Sequence, residues 1–198
     1  MLLRDSKVNV VIIIDSSITV VEDYRKQIVN GNIKLIYEPA NSVTLVEADK
    51  RRLIQVISNL LNNAIKFTKE GNVTVSSILK RKDIGRDGAG GEERASEEVL
   101  IAVKDSGTGI DPELMPRLFT KFATKSYQGT GLGLFISKAI IDAHGGKMWA
   151  ENNNNDNNDS SGKKLNGATL YFTLPVIDIM SVSVQVVEEG GSVNEQRQ

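Results

Sequence analysis

Asn59, Asn63 and Lys66 follow one another at steps of four and three, with Gln55 and Asn62 beside them. If that stretch is helical, a rotation of about 100° per residue brings the three into a narrow arc. Amides and one amine, without a carboxylate, make a poor general acid–base site. They suit a polyanion and its metal instead. An amide oxygen is a hard ligand for Mg²⁺, which takes most of its other ligands from water and phosphate; an ammonium group neutralises phosphate charge. The same polar row is also what an ordinary solvated helix face looks like.

A second group is Asp105-Ser106-Gly107-Thr108-Gly109-Ile110, directly after the apolar run Val99–Val103. An ionised carboxylate only accepts hydrogen bonds, so it suits an amine donor such as the exocyclic amine of adenine. Glycines beside it let backbone approach a flat ring closely. A simple turn is the other reading, and a calcium-binding EF-hand loop is excluded because glycines stand where Asp or Asn is needed.

The third group is Gly129-Thr130-Gly131-Leu132-Gly133-Leu134. Glycines that open a helix expose backbone N–H groups and the positive end of the helix dipole to phosphate. No Gly-Lys-Ser/Thr follows, so this is not a Walker loop. The spacing and the lack of a preceding strand also exclude a Rossmann fingerprint. Lys125, just upstream, could reach a terminal phosphate.

The elements that must position these groups can be read from periodicity. The asparagines fall on a predicted helix from about Lys50 to Lys69, with Asp49 as N-cap, Gly71 as stop, and Leu53, Ile57, Leu60, Ala64 and Phe67 as its buried stripe. Val8–Ile14 reads as a short strand or a helix start, and Ser16–Asn30 as a helix. Ile33–Tyr37 and Val43–Val46 read as short strands, and so does Val73–Leu79. Lys80–Glu98, charged and glycine-rich, reads as an exposed mobile hairpin loop. Val99–Val103 is a central strand. Pro112–Phe122 carries a short helix, and the second glycine loop leads into a helix ending near Ala143. Lys147–Glu151 and Ala168–Leu174 pair as final strands, with the polar run Asn152–Asp159 as a disordered hairpin tip.

Composition narrows the function classes. The chain has 198 residues, 40% hydrophobic and 25% charged, enough for one globular domain with tails. Lys and Arg (24) nearly balance Asp and Glu (25), so no global field favours nucleic acid or an anionic membrane. There is no cysteine, which excludes disulfides and thiolate sites. The single histidine, His144, excludes a multi-histidine metal cluster within one chain. Val10–Ile14 is far shorter than a membrane helix, and Met1–Lys7 lacks a signal-peptide pattern. The chain reads as cytoplasmic with no membrane segment of its own, which leaves a membrane-tethered parent protein open.

Taken in order, these groups resemble the Bergerat-type ATPase superfamily of gyrase, MutL, the large heat-shock chaperone and the histidine kinases, and most closely the histidine kinase catalytic domain. Gln55–Thr68 resembles its asparagine box, Asp105–Ile110 its first glycine box, Leu118–Phe122 its phenylalanine box and Gly129–Leu134 its second glycine box. Gly167–Pro175 is similar to its last strand. The resemblance covers about residues 15–176. It implies an α/β sandwich, a mixed β-sheet packed on one face by helices, with a short ATP lid at Thr124–Gln128.

The resemblance also implies roles. Asn63 is the expected Mg²⁺ ligand, with Asn59 its neighbour in the metal and phosphate shell. Lys66 would contact phosphate, and Lys125 would approach the γ-phosphate; Asn59 and Lys125 are the expected catalytic pair. Asp105 would read adenine, assisted through water by Thr169. Phe67, Gly107, Gly109 and Ile110 would shape the base pocket. Gly129, Thr130, Gly131, Leu132, Gly133 and Leu134 would wrap the triphosphate. ATP and Mg²⁺ are the implied cofactors. Hydrolysing relatives place a Glu where Asn59 stands, and an amide cannot usefully accept a proton. That favours transfer to an external nucleophile, which asks mainly for positioning and charge stabilisation.

The histidine that would accept the phosphate is not supplied here, because His144 in Ala143-His144-Gly145-Gly146 looks like the end of a helix. The implied partners are therefore a dimerisation and histidine-phosphotransfer domain, in cis or in trans, and a response regulator downstream. Residues 1–14 would be the remnant of a connector to that hairpin, 15–176 the catalytic domain and 177–198 a tail. Two other readings share the motifs: a regulatory nucleotide-binding module without transfer activity, and a serine kinase of the anti-sigma type.

Overall fold

The computed structural model describes residues 9–12, 20–26, 28, 31–40, 44–86, 93–124, 130–153 and 167–177. In chain order these form β1 (Asn9–Ile12), α1 (residues 20–26), β2 (Ile33–Glu38), β3 (Leu45–Ala48), α2 (Lys50–Phe67), β4 (Gly71–Arg86), β5 (Glu93–Asp105), a 3₁₀ turn (Met115–Arg117), α3 (Gly133–Ala143), β6 (Lys147–Asn152) and β7 (Ala168–Pro175). The main sheet has five strands in the order β2-β4-β5-β7-β6. β2 runs parallel to β4, and the other pairs are antiparallel. The mixed sheet covered by helices is the architecture expected from the sequence.

Strand alternation decides which side the helices cover. Val73 and Val75 of β4, Val99, Ile101 and Val103 of β5, and Leu170, Phe172 and Leu174 of β7 share one face by register and are all buried. Against them pack Leu53, Val56, Ile57, Leu60, Leu61 and Ala64 of α2, Ile140 and Ile141 of α3, and Val20 and Val21 of α1. Fully burying a side chain of this size contributes roughly 1.5–3 kcal/mol, so this layer anchors α2 firmly. On the opposite face Trp149 and Tyr171 stack with centroids 5.1 Å apart.

Local chemistry sets the ends of α2. The Asp49 carboxylate accepts from the N–H groups of Arg51 and Arg52, at 2.9 and 3.2 Å, as an N-cap should. The ring of His144, at the end of α3, adds a longer link. Its Nε2 accepts from the Asp49 N–H at 3.1 Å, and its Nδ1 lies 2.7 Å from the Ile140 carbonyl. The helix-end position read from the sequence holds, and the ring also ties α3 to the start of α2.

Several expectations change. Residues 80–86 and 93–98 are strand rather than loop, and residues 87–92 lie outside the described residues. β4 and β5 stay paired from Lys80↔Glu98 through Asp83↔Ala95, with a last pair Arg86↔Glu93 beyond a register shift. Opposite charges face each other across this ribbon: Arg81 Nε donates to Glu97 Oε1 at 2.9 Å. The third strand is Leu45–Ala48 rather than Val43–Val46, because its register is set by β1, with Ile12 opposite Leu45 and Asn9 opposite Ala48. Residues 9–12, within the expected connector, thus form a strand paired with β3. The short helix expected within Pro112–Phe122 is the single 3₁₀ turn Met115–Arg117, with Pro116 in its first turn, where a missing N–H costs nothing. Phe67, placed by periodicity in the buried stripe, is 44% exposed at the end of α2.

Candidate functional site

A cavity of about 550 Å³ opens between the C-terminal half of α2, the ends of β5 and β7, and the start of α3. Asn59, Asn63, Lys66 and Phe67 line it from α2, and Asp105, Gly109 and Ile110 from the end of β5. Thr130, Gly131, Gly133 and Leu134 line it from the second glycine loop. Three groups far apart in sequence therefore meet at one space. Gly107, Leu132 and Thr169 are not among its lining residues. Lys125 and Gly129 lie outside the described residues.

Asp105 reaches the cavity by alternation. It continues the face of Val99, Ile101 and Val103, so its carboxyl points under α2 rather than to solvent. It is 5% exposed. Its Oδ1 accepts from the N–H of Gly107 at 2.8 Å and of Ala168 at 3.3 Å. Burial raises its pKa above the ordinary 3.8, and these two N–H donors oppose the rise. Gly107 is required by space: a Cβ there would lie 2.3 Å from the Phe67 carbonyl oxygen. It holds the loop against the end of α2 instead of facing the cavity.

Thr169 is displaced from its expected place by the same alternation. It pairs with Lys104, on the opposite face from Asp105, and its hydroxyl donates to Asn153 Oδ1 at 2.6 Å. Ala168 and Leu170 face the cavity in its stead.

Sequence reasoning missed Asn152 and Asn153, which it placed in a disordered tip. Ile110 N–H donates to Asn152 Oδ1 at 2.7 Å, and Asn152 Nδ2 donates back to the Ile110 carbonyl at 2.8 Å. Asn153 Nδ2 donates to the Asp105 carbonyl at 2.8 Å. The two asparagines thus hold both ends of the loop that carries Asp105 and Gly109. Leu114 and Leu118 were also missed as lining residues; with Ile110 and Leu134 they give the cavity an apolar wall fit for a flat ring.

At the other end the chemistry is that of anion binding. The start of α3 has no side-chain cap and no acidic residue in its first turn, so its free N–H groups and dipole favour a negative charge. Phe122 N–H donates to the Gly131 carbonyl at 3.0 Å. Both residues adopt left-handed backbone, φ 61° and 65°, and a Cβ on Gly131 would come within 2.7 Å of the Phe122 backbone. This crossing fixes Gly131 against Phe122, and the expected lid residues 125–128 lie outside the described residues. Asn59 Nδ2 donates to Ser137 Oγ of α3 at 2.9 Å. Among the described residues no group of three or more His, Cys, Asp or Glu is arranged to hold a metal. A divalent ion here would be held through amide oxygens, water and phosphate. The Oδ1 of Asn59 fits that use, since no described residue donates to it.

A sequence model of the histidine kinase-, DNA gyrase B- and HSP90-like ATPases matches residues 48–178, well over half of the chain. The chain belongs to this ATPase family. It is 33% identical over 156 residues to cyanobacterial phytochrome A of Nostoc sp., a match covering 77% of this chain and 17% of that protein. It is 34% identical over 147 residues to the sensor protein FixL of Bradyrhizobium diazoefficiens, covering 74% and 25%. Among solved structures, the catalytic domain of histidine kinase ThkA superposes with a TM-score of 0.65 at 32% identity, covering 85% of this chain and 95% of that one. This chain therefore spans a quarter or less of the curated relatives it matches. Its fold is that of histidine kinase catalytic domains, and as a member of the ATPase family it is an ATP-binding domain of the sensor-kinase type. Among the described residues no helix is long and apolar enough to cross a membrane.

Proposed function

We propose that this chain binds Mg-ATP and delivers the γ-phosphate to a histidine on a dimerisation and phosphotransfer domain, in cis or in trans. A response regulator would then take the phosphate, with the reactions on the cytoplasmic side. The supporting observation is that Asp105, the α2 asparagines and the uncapped start of α3 line one cavity. In this reading the Asp105 carboxylate accepts from the adenine amine, and Ile110, Leu118 and Leu134 cover the ring. Asn63 supplies the oxygen for Mg²⁺ with Asn59 beside it, and the ion would neutralise phosphate charge. Lys66, Lys125 and the first N–H groups of α3 bind phosphate oxygens.

Asn59 argues for transfer over hydrolysis. An amide does not take the proton that an attacking water must lose, whereas an imidazole nitrogen attacks phosphorus with its own lone pair and leaves ADP.

The test is incubation of the chain with labelled ATP and a supplied dimerisation hairpin. Acid-labile label on the hairpin histidine is expected. Acid-stable phosphoserine, or a chain that ignores millimolar ATP with Mg²⁺, would overturn the proposal.

A further inference from the structure

α3 carries a notch on the side that faces α2. Gly133 contributes no side chain, and a Cβ built there would fall 2.3 Å from Asn59 Oδ1. One helical turn later stands Ser137, 1% exposed, whose Oγ accepts from Asn59 Nδ2 at 2.9 Å. The Asn59 side chain thus lies between two α3 positions four residues apart, which share one face of the helix. A buried hydroxyl has a cost unless it is hydrogen-bonded, and here the Asn59 amide is its partner among the described residues.

The hydrogen bond has a consequence for chemistry. An unrestrained asparagine amide can present either its oxygen or its nitrogen to a ligand. With Nδ2 engaged by Ser137, the end left without a described donor is Oδ1, an acceptor suited to a cation and unsuited to phosphate. We infer that Ser137 is a positioning residue: it holds the Asn59 amide so that its oxygen faces the metal-bearing side of the nucleotide site. This rests on the proposed Mg-ATP reading of the cavity. It also links α2 to the helix that carries the second glycine loop, so the amide and the anion-binding N–H groups move as one unit.

The test compares ATP affinity with Mg²⁺ and in chelator, by calorimetry on the full chain. Wild type should bind more tightly with Mg²⁺. Ser137→Ala should lose roughly tenfold of that Mg²⁺-dependent gain, the scale of one hydrogen bond, with affinity in chelator unchanged. Ser137→Thr, which keeps the hydroxyl, should keep the gain. In an Asn59→Ala background, adding Ser137→Ala should change the gain no further, because the two residues act through one bond. An Ala variant that keeps the full Mg²⁺ gain overturns the inference. So does an equal loss in both buffers, the mark of a structural role, or a Thr variant that behaves like Ala. A wild-type chain that binds no ATP in either buffer overturns the reading beneath it instead.

Discussion

Asn152 and Ile110 exchange two hydrogen bonds across 42 positions of sequence, side-chain oxygen to N–H at 2.7 Å and side-chain nitrogen to carbonyl at 2.8 Å. The amide does for the loop what a neighbouring strand would do. Beside it Gly109 sits at φ 75°, where a Cβ would lie 3.1 Å from Asn152 Oδ1. The cavity wall is therefore shaped by a residue from the far edge of the sheet.

Removing that pair should loosen the wall before it unfolds the domain. Asn152→Ala is expected to cost about 1–3 kcal/mol, because the Ile110 N–H and carbonyl lose their partner. Urea denaturation reads this as a lower midpoint at unchanged slope. ATP affinity should fall as well, and an unaltered midpoint would show that water replaces the amide without loss.

Asp105 sets two opposed expectations. Its folded-state pKa is raised by burial, so the ionised group opposes folding above that raised value, and the penalty fades as pH falls through it toward 3.8. Asp105→Asn should accordingly be more stable than wild type at neutral pH, with an advantage that shrinks on acidification. Nucleotide binding should go the other way. Asp105→Ala is expected to weaken ATP roughly 10–100-fold, the range for a hydrogen bond to a charged group. Parallel denaturation and ATP titrations check both, and GTP serves as the control that should respond little.

Asn63 lines the cavity from α2 with only an amide to offer. Asn63→Ala should therefore weaken ATP mainly when Mg²⁺ is present, by roughly tenfold. An identical loss in chelator would remove the metal role.

His144 accepts from the Asp49 N–H through Nε2 and faces the Ile140 carbonyl through Nδ1. With both nitrogens engaged it is expected to take no phosphate: the chain incubated alone with labelled ATP should carry no acid-labile label. His144→Ala should lower stability by about 1–3 kcal/mol, because the Asp49 N–H is left without its acceptor, while ATP affinity is retained.

Much of the fold was legible because it follows from short-range patterns. α2 is written in its N-cap and its spacing of apolar residues, and the central strand in its uninterrupted apolar run Val99–Val103. Asp105 could be singled out because a carboxylate followed by glycines after a buried strand suits an amine donor, but a simple turn reads the same way and the structure had to choose between them. Ser137 left no such trace, since one serine within a helix is unremarkable until the helix opposite it is known. The flanks of the Lys80–Glu98 segment misled for a related reason: their charges suggest a loop, yet Arg81 and Glu97 face each other across an extended ladder.

What the residues determined by themselves is the set of chemical groups and the local elements that hold them, because capping, alternation and helical spacing act over a few positions. The tertiary structure alone decided which groups meet. Thr169 and Ala168 are neighbours in sequence, but sheet register sends one to each face, so alanine faces the cavity and threonine binds Asn153. Asn152 and Asn153 read as spacer until β6 brings them to Asp105 and Ile110. Partners separated by dozens of residues are chosen by the packing of the whole chain, and no local pattern encodes them.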